Sequence, residues 1–287
     1  NVTTFADIRK QEDILLRLLT DYTDRFYKAL KTGYEGQFYD ITHIDEDHGS
    51  MLKLYQFEIE NSDDGLEYQA KLEVLKKLVA DGKIGEASKW NAPHMAISFD
   101  RHLYYPLLAL EDKDAVPLKL RPLAFDAPSE WEFVRDLEAF YNSSEGKEEI
   151  GPRSLYLLRN ADREEKGLGF ALAGNFYPDF LLWLVDDASG KQWLTFVDPK
   201  GLRNLDLSHS KLGLYKEVKT LEATLAAQAK TGEPPLVLNA FVLSPTKFAD
   251  LLNVGDPTKK ADLEGRHVLF MEDGGPSYLK KMLAVLS

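Results

Sequence analysis

Two short polar clusters bracket an apolar stretch in the middle of the chain. The first is Tyr177-Pro178-Asp179-Phe180 and the second is Asp198-Pro199-Lys200-Gly201. Asp179, Asp198 and Lys200 are the residues whose chemistry stands out. Two carboxylates and a lysine brought together can hold a divalent metal ion and activate a water molecule. Residues 179–198 read as a β-hairpin, and its register follows from arithmetic. If 181 faces 196, then 183 faces 194 and 185 faces 192, and the turn falls in the polar run Asp186–Lys191. The same register sets Asp179 opposite Asp198. Directly opposed residues have Cβ atoms about 4.5–5.5 Å apart, and two carboxylates at that distance repel unless a cation lies between them. Asp198 and Lys200, two apart, share one face of their strand. Both strands are apolar on both faces, as in the centre of a covered sheet, so acids there need a partner. Oxygen ligands suit Mg²⁺ or Mn²⁺, and the backbone carbonyl of Pro199 is a further candidate ligand. The bland alternative is two plain turns, since Pro, Asp and Gly favour turns.

The elements needed to position these residues can be read along the chain. Residues 4–31 have the three- and four-residue apolar spacing of one long helix (Phe5, Ile8, Leu15, Leu19, Tyr22, Phe26, Leu30). Strands are expected at Gln37–Ile41, Leu52–Glu60, His94–Phe99, Leu103–Leu110 and Val116–Leu123, and a helix at Leu66–Val79. The segment Thr42–His48 holds two histidines and three acids. It reads better as a solvated acidic turn than as a metal site. His94 and His102 read as packing or edge residues.

A boundary is expected near Phe125, dividing an N-terminal α+β region (1–124) from a second unit (125–287). In the second unit Ser129 is expected to cap a helix that runs to about Tyr141. A polar loop at Asn142–Glu149 and strands at Ser154–Arg159 and Leu168–Leu172 precede the hairpin. After it come a helix at Ser208–Ala229, a strand at Pro235–Leu243, a short helix opened by Ser244-Pro245, a strand at His267–Met271 and a closing helix at Pro276–Leu286. This order specifies an α/β fold, a mixed central β-sheet flanked by helices.

The arrangement resembles the PD-(D/E)xK nuclease superfamily, and most of all the C-terminal nuclease domains of type III restriction subunits and related helicase–nuclease defence proteins. Those domains place an acid on an upstream helix in an E-x-x-F-x-x-x-L setting, matched here by Glu130-Trp131-Glu132-Phe133 and Leu137. They follow it with an aromatic-x-P-D step and an acid-x-Lys-Gly step, matched by Phe176–Asp179 and Asp198–Gly201. The likeness covers residues 125–245 or so. It implies a restriction-endonuclease-like fold and a Mg²⁺- or Mn²⁺-dependent DNA endonuclease. Asp179 and Asp198 would be metal ligands, Lys200 the catalytic lysine and Glu130 a further acid near the metal. Glu132 or Glu138 can take the place of Glu130. Asp198 departs from the pattern, because the family commonly carries Glu there; the shorter side chain would move the metal slightly.

Composition frames this reading. The 287 residues are 44% hydrophobic and 29% charged, the profile of a globular chain, and no apolar run approaches the roughly 18–20 residues of a membrane span. There is no cysteine, which excludes thiolate zinc sites and thiol nucleophiles and suits a cytoplasmic location. A formal charge of −12 argues against a general polyanion-binding surface. DNA contact would need a local basic groove, for which Arg203, Asn204, His209, Lys211, Lys216 and Lys219 are candidates. No G-x-x-x-x-G-K-[S/T] phosphate loop occurs. The chain starts at Asn1, without Met, like an excised piece of something longer; a helicase motor, which the resemblance implies, would precede Asn1. The competing expectations are a catalytically inactive nuclease-like module that binds DNA or a partner protein, and an unrelated metal-dependent hydrolase.

Overall fold

The computed structural model describes residues 44–89, 92–110, 114–121, 125, 127–160, 177–199, 202, 210–229, 232–251 and 258–286, with scattered positions between 9 and 34. The expected strands Gln37–Ile41 and Leu168–Leu172 lie outside these residues. The described positions between 9 and 34 are helical, and their apolar side chains, Leu15, Leu19, Tyr22, Phe26 and Leu30 among them, are exposed.

The N-terminal region is built on two antiparallel ribbons. Strand β1 (Gln56–Ile59) pairs with β4 (Leu118–Arg121), and β2 (Met95–Ser98) with β3 (Leu107–Leu110). Between β1 and β2 runs helix α1 (Asp63–Ala80), started by Ser62, whose hydroxyl accepts a hydrogen bond from the Gly65 N–H at 3.1 Å. Tyr68 and Leu75 fix its inner face against Met95, Leu108, Leu118 and Leu120. The strand expected from Leu103 begins only at Leu107. Residues 101–103 pair instead with Leu157, and Phe99 before them has a φ of 55°, in the left-handed region uncommon for an aromatic residue. That bend turns the chain so that Arg101–Leu103 runs beside the second unit.

The second unit is a five-stranded mixed sheet with helices on both faces. Its elements are α2 (Pro128–Asn142), α3 (Ser144–Ile150), β5 (Ser154–Arg159), β6 (Phe180–Val185), β7 (Gln192–Pro199), α4 (Leu214–Gln228), β8 (Leu236–Ser244), α5 (Lys260–Glu264), β9 (Val268–Phe270) and α6 (Gly275–Ala284). Sheet order is β5-β6-β7-β8-β9; the β5–β6 and β6–β7 pairs are antiparallel, and the β7–β8 and β8–β9 pairs are parallel. Alternation along each strand assigns the two faces. Leu157, Phe180, Leu182, Val197 and Phe241 pack under Phe133, Leu137, Tyr278 and Leu279 of α2 and α6. Their neighbours Leu158, Leu181, Phe196 and Ala240 pack under Val218 and Leu221 of α4. A fully buried Phe or Leu contributes roughly 1.5–3 kcal/mol, so this double-sided burial is the main source of stability. Phe99 and Leu107 enter the first of these clusters, so side chains from both sides of residue 125 fill one core.

Three expectations are corrected. Ser129 does not cap α2; the helix starts at Pro128 after Ala127, with no side-chain cap. Asn142–Glu149 is not a loop, because the Ser143 hydroxyl accepts from the Gly146 N–H at 2.9 Å and starts α3. Ser244 ends β8 instead of opening a helix, and its hydroxyl donates to the Thr246 carbonyl at 2.8 Å.

Candidate metal centre

The β6–β7 hairpin carries the expected register. The ladder runs from Phe180↔Val197 through Leu181↔Phe196 and Trp183↔Leu194 to Val185↔Gln192. Its turn is closed by Asp186 N–H to the Lys191 carbonyl at 2.9 Å and Gly190 N–H to the Asp186 carbonyl at 2.7 Å. One step past the ladder, Asp179 stands opposite Asp198. Asp179 lies just before β6, where its carbonyl accepts from the Asn160 N–H at 2.8 Å and continues the pairing toward β5.

Asp198 is 1% exposed and closes β7 with Pro199. The Pro199 carbonyl, expected to be free as a ligand, accepts from the Ser129 hydroxyl at 3.1 Å. That bond ties the first turn of α2 to the end of β7. A carbonyl oxygen has two lone pairs, so one remains. The same turn of α2 brings Glu130 in: it is buried, with its carboxylate 3.0 Å from Arg159 Nη2. Glu132 is exposed and Glu138 half-buried, so of the three glutamates Glu130 is the one set among these acids.

Arg159 is the residue that sequence reading missed. It ends β5 after the apolar run Leu155–Leu158, and a charge closing such a run was the available signal. Its Nη1 donates to the Asp179 carbonyl at 2.9 Å and lies 3.5 Å from Asp179 Oδ1. Its guanidinium sits over the Phe180 ring at 5.3 Å. Asn160 beside it donates to the Pro178 carbonyl at 2.9 Å and accepts from the Ser50 hydroxyl at 3.2 Å. His102 accepts the Arg159 backbone N–H on Nε2 at 2.7 Å, so the proton sits on Nδ1 and is donated to the Tyr104 carbonyl at 2.9 Å. The 3.3 Å approach of the Tyr104 N–H to that same Nδ1 is then a contact only. Burial lowers the His102 pKa to about 4 and keeps the ring neutral.

The carboxylates of buried Glu130 and half-buried Asp179 lie beside the Arg159 guanidinium, and buried Asp198 lies beside Asp179. Burial, and then the Asp198 charge and a hydrogen bond to Asp198, push Asp179 up to about 8, against the pull of Arg159. At neutral pH Asp179 therefore keeps a proton that most aspartates lose. Two carboxylates with a spare carbonyl lone pair would suit a hard cation. Among the described residues no group of three or more His, Asp or Glu side chains is placed to ligate a metal together.

Lys200, Arg203, Asn204 and His209 lie outside the described residues, as does the Lys211 side chain. Lys216 and Lys219 are exposed on α4; Lys219 pairs with Glu222 at 2.8 Å and Lys216 lies over the Tyr215 ring. Asp45, Asp47 and His48 form an acidic turn in which Asp45 Oδ1 accepts from the Asp47 N–H at 2.9 Å. His94, at φ 58°, is a turn residue and His102 a buried one. Among the described residues no helix is long and apolar enough to cross a membrane. Comparison with protein-family models, with curated proteins and with solved structures returns no match.

Proposed function

We propose that residues 125–287 form a metal-dependent DNA endonuclease domain of the PD-(D/E)xK type, part of a type III-like restriction or phage-defence helicase–nuclease. One observation carries this reading. Asp179 and Asp198 stand opposed at the end of a hairpin packed on both faces, close enough that the Asp198 charge pushes the Asp179 carboxyl upward. The helix–strand–strand–strand–helix–strand order of α2, β5, β6, β7, α4 and β8 supports it.

In this reading Asp179, Asp198 and the Pro199 carbonyl hold Mg²⁺ or Mn²⁺. A bound divalent cation supplies a water of lowered pKa and neutralises charge on a phosphoryl oxygen. Lys200, two residues past Asp198, adds positive charge at the scissile phosphate. Ser129 fixes the Pro199 carbonyl, and the apolar faces of β6 and β7 exclude bulk water from the acids. Lys216 and Lys219 contact the DNA backbone as point charges. Residues 1–124 serve as a connector to the motor or as a recognition element.

The test is cleavage of plasmid and linear DNA with Mg²⁺, with Mn²⁺ and with EDTA. Cleavage that needs metal and is removed by Asp179→Asn and by Lys200→Ala supports the reading. Metal-independent cleavage, or activity unchanged in both variants, refutes it. The second reading is a nuclease-like module without activity. The ion pair between Arg159 and Glu130 favours it, since it sets a resident cation among the acids. Mn²⁺ binding without cleavage of any nucleic acid would decide for that reading.

A further inference from the structure

We propose that Asn160 is a positioning residue of the site: it clamps the Pro178–Asp179 step that presents the Asp179 carboxylate, and Ser50 of the N-terminal region orients it. The inference rests on the metal-dependent reading above and adds a residue to it. Asp179 lies outside the hairpin ladder, whose paired residues begin at Phe180↔Val197. Pro178 has no N–H to donate. The carbonyls of this step are held instead by Asn160, which follows β5. Its backbone N–H donates to the Asp179 carbonyl at 2.8 Å and its Nδ2 to the Pro178 carbonyl at 2.9 Å. A peptide group is planar, so holding its carbonyl holds its plane. The two planes that flank the Asp179 Cα are thus both set from Asn160, and with them the direction of the Asp179 side chain. That direction brings its carboxyl into a hydrogen bond with Asp198. Arg159 Nη1 shares the Asp179 carbonyl, at 2.9 Å. The bond to the Pro178 carbonyl is the part that the Asn160 side chain supplies.

The Asn160 amide is oriented from the N-terminal region. The Ser50 hydroxyl donates to its Oδ1 at 3.2 Å, which makes Nδ2 the end that faces Pro178. Asn160 is 4% and Ser50 6% exposed, so water competes little for these bonds. Ser50 is placed in turn by its own N–H, which donates to His48 Nδ1 at 3.2 Å, and by the Met51 N–H, which donates to the His48 carbonyl at 2.9 Å. The acidic turn at 45–48 therefore reaches the site through Ser50, as part of its frame. Such a clamp matters most to a small ion. Mg²⁺ demands near-ideal octahedral geometry, whereas Ca²⁺ accepts longer bonds and a flexible shell.

The experiment compares Mg²⁺ and Ca²⁺ affinity, measured calorimetrically on the full chain without DNA. Asn160→Ala should weaken Mg²⁺ binding about ten- to a hundredfold, the usual effect of losing a group behind a ligand. It should weaken Ca²⁺ binding by no more than about threefold, because Ca²⁺ tolerates a displaced carboxylate. Lost stability alone would lower both affinities by one factor, the folded fraction, and leave their ratio as it was. An unchanged ratio, whether both affinities fall or neither does, would overturn the proposal. If Asn160→Ala does not fold, Ser50→Ala decides in its place. It keeps the amide and removes the hydroxyl that orients it, so the Mg²⁺-to-Ca²⁺ ratio should fall about three- to tenfold, the effect of one lost hydrogen bond. A wild-type ratio in that variant would overturn the proposal. Absence of Mg²⁺ and Ca²⁺ binding by folded wild type would bring down the metal-dependent reading itself, an outcome distinct from wild-type binding with an unchanged ratio in the variants.

Discussion

Replacing Asp179 by Asn should stabilise the metal-free protein at alkaline pH while removing metal binding. In the folded chain the Asp179 carboxyl titrates near 8, and its ordinary value is 3.8. Between those limits the folded state binds the proton more tightly than the unfolded chain does, so stability falls as pH rises from about 4 to about 8. Below about 4 the cost is absent, and above about 8 it is complete. At roughly 1.4 kcal/mol per decade, the gap between 3.8 and about 8 corresponds to about 6 kcal/mol at most. The groups facing Asp179 are Asp198 and Glu130, which raise the cost, and Arg159, which lowers it. The Asn amide keeps the desolvation cost of a polar group, so about 2 kcal/mol is the gain expected at pH 9. That is about 4–8 °C in Tm for a chain of this size. The assay is thermal melting by circular dichroism in EDTA at pH 5 and pH 9. Asp179→Asn should melt higher than wild type at pH 9 and within about 2 °C of it at pH 5. Equal destabilisation at both pH values would refute the reasoning, since it would mean that Asp179 is a satisfied structural residue.

Other consequences can be checked in parallel. Saturating Mn²⁺, at about a hundred times its Kd, should stabilise wild type by about 2.7 kcal/mol, read as a rise in Tm, and should leave Asp198→Asn unchanged. Below pH 8 that binding should release close to one proton from Asp179, read from the buffer dependence of the calorimetric heat. Ser129→Ala removes the hydroxyl that holds the Pro199 carbonyl and should cost about 1 kcal/mol in urea unfolding. Thr195 and Asn239 are paired in register in the β7–β8 ladder, both buried, and Thr195 Oγ1 and the Asn239 amide atoms have no hydrogen-bond partner among the described residues. Thr195→Val should therefore be neutral or stabilising by up to about 1 kcal/mol; a clear loss would reveal a bound water bridging the pair.

Much of the site's frame was legible because hydrophobic alternation and turn chemistry are local. The run Phe180–Val185, the polar turn Asp186–Lys191 and the run Gln192–Pro199 fix one register, and that register opposes Asp179 to Asp198. The helices at 63–80, 128–142, 214–228 and 275–284 were visible as apolar stripes of helical period. The parts that were not legible are long-range. Nothing near Arg159 in sequence says that its partner is Glu130, 29 positions earlier, or that His102 lies under its backbone. Ser129 has the composition of a helix cap, yet tertiary pairing with Pro199 claims its hydroxyl. The short helix at 144–150 was hidden because its sequence is polar and its start depends on one Ser143 hydroxyl. The strand at Leu103 failed because residues 101–103 pair with distant Leu157, a long-range choice that local propensity does not show.

The central claim is that Asp179 and Asp198 share a divalent cation. The direct measurement is a crystal of the full chain grown near pH 8, soaked in Mn²⁺ and recorded at a wavelength where manganese scatters anomalously. The account predicts one anomalous peak between the two carboxylates, about 2.0–2.2 Å from an oxygen of each. A fully ordered site with no peak, or with Mn²⁺ bound elsewhere and the two aspartates still sharing a proton, would contradict it.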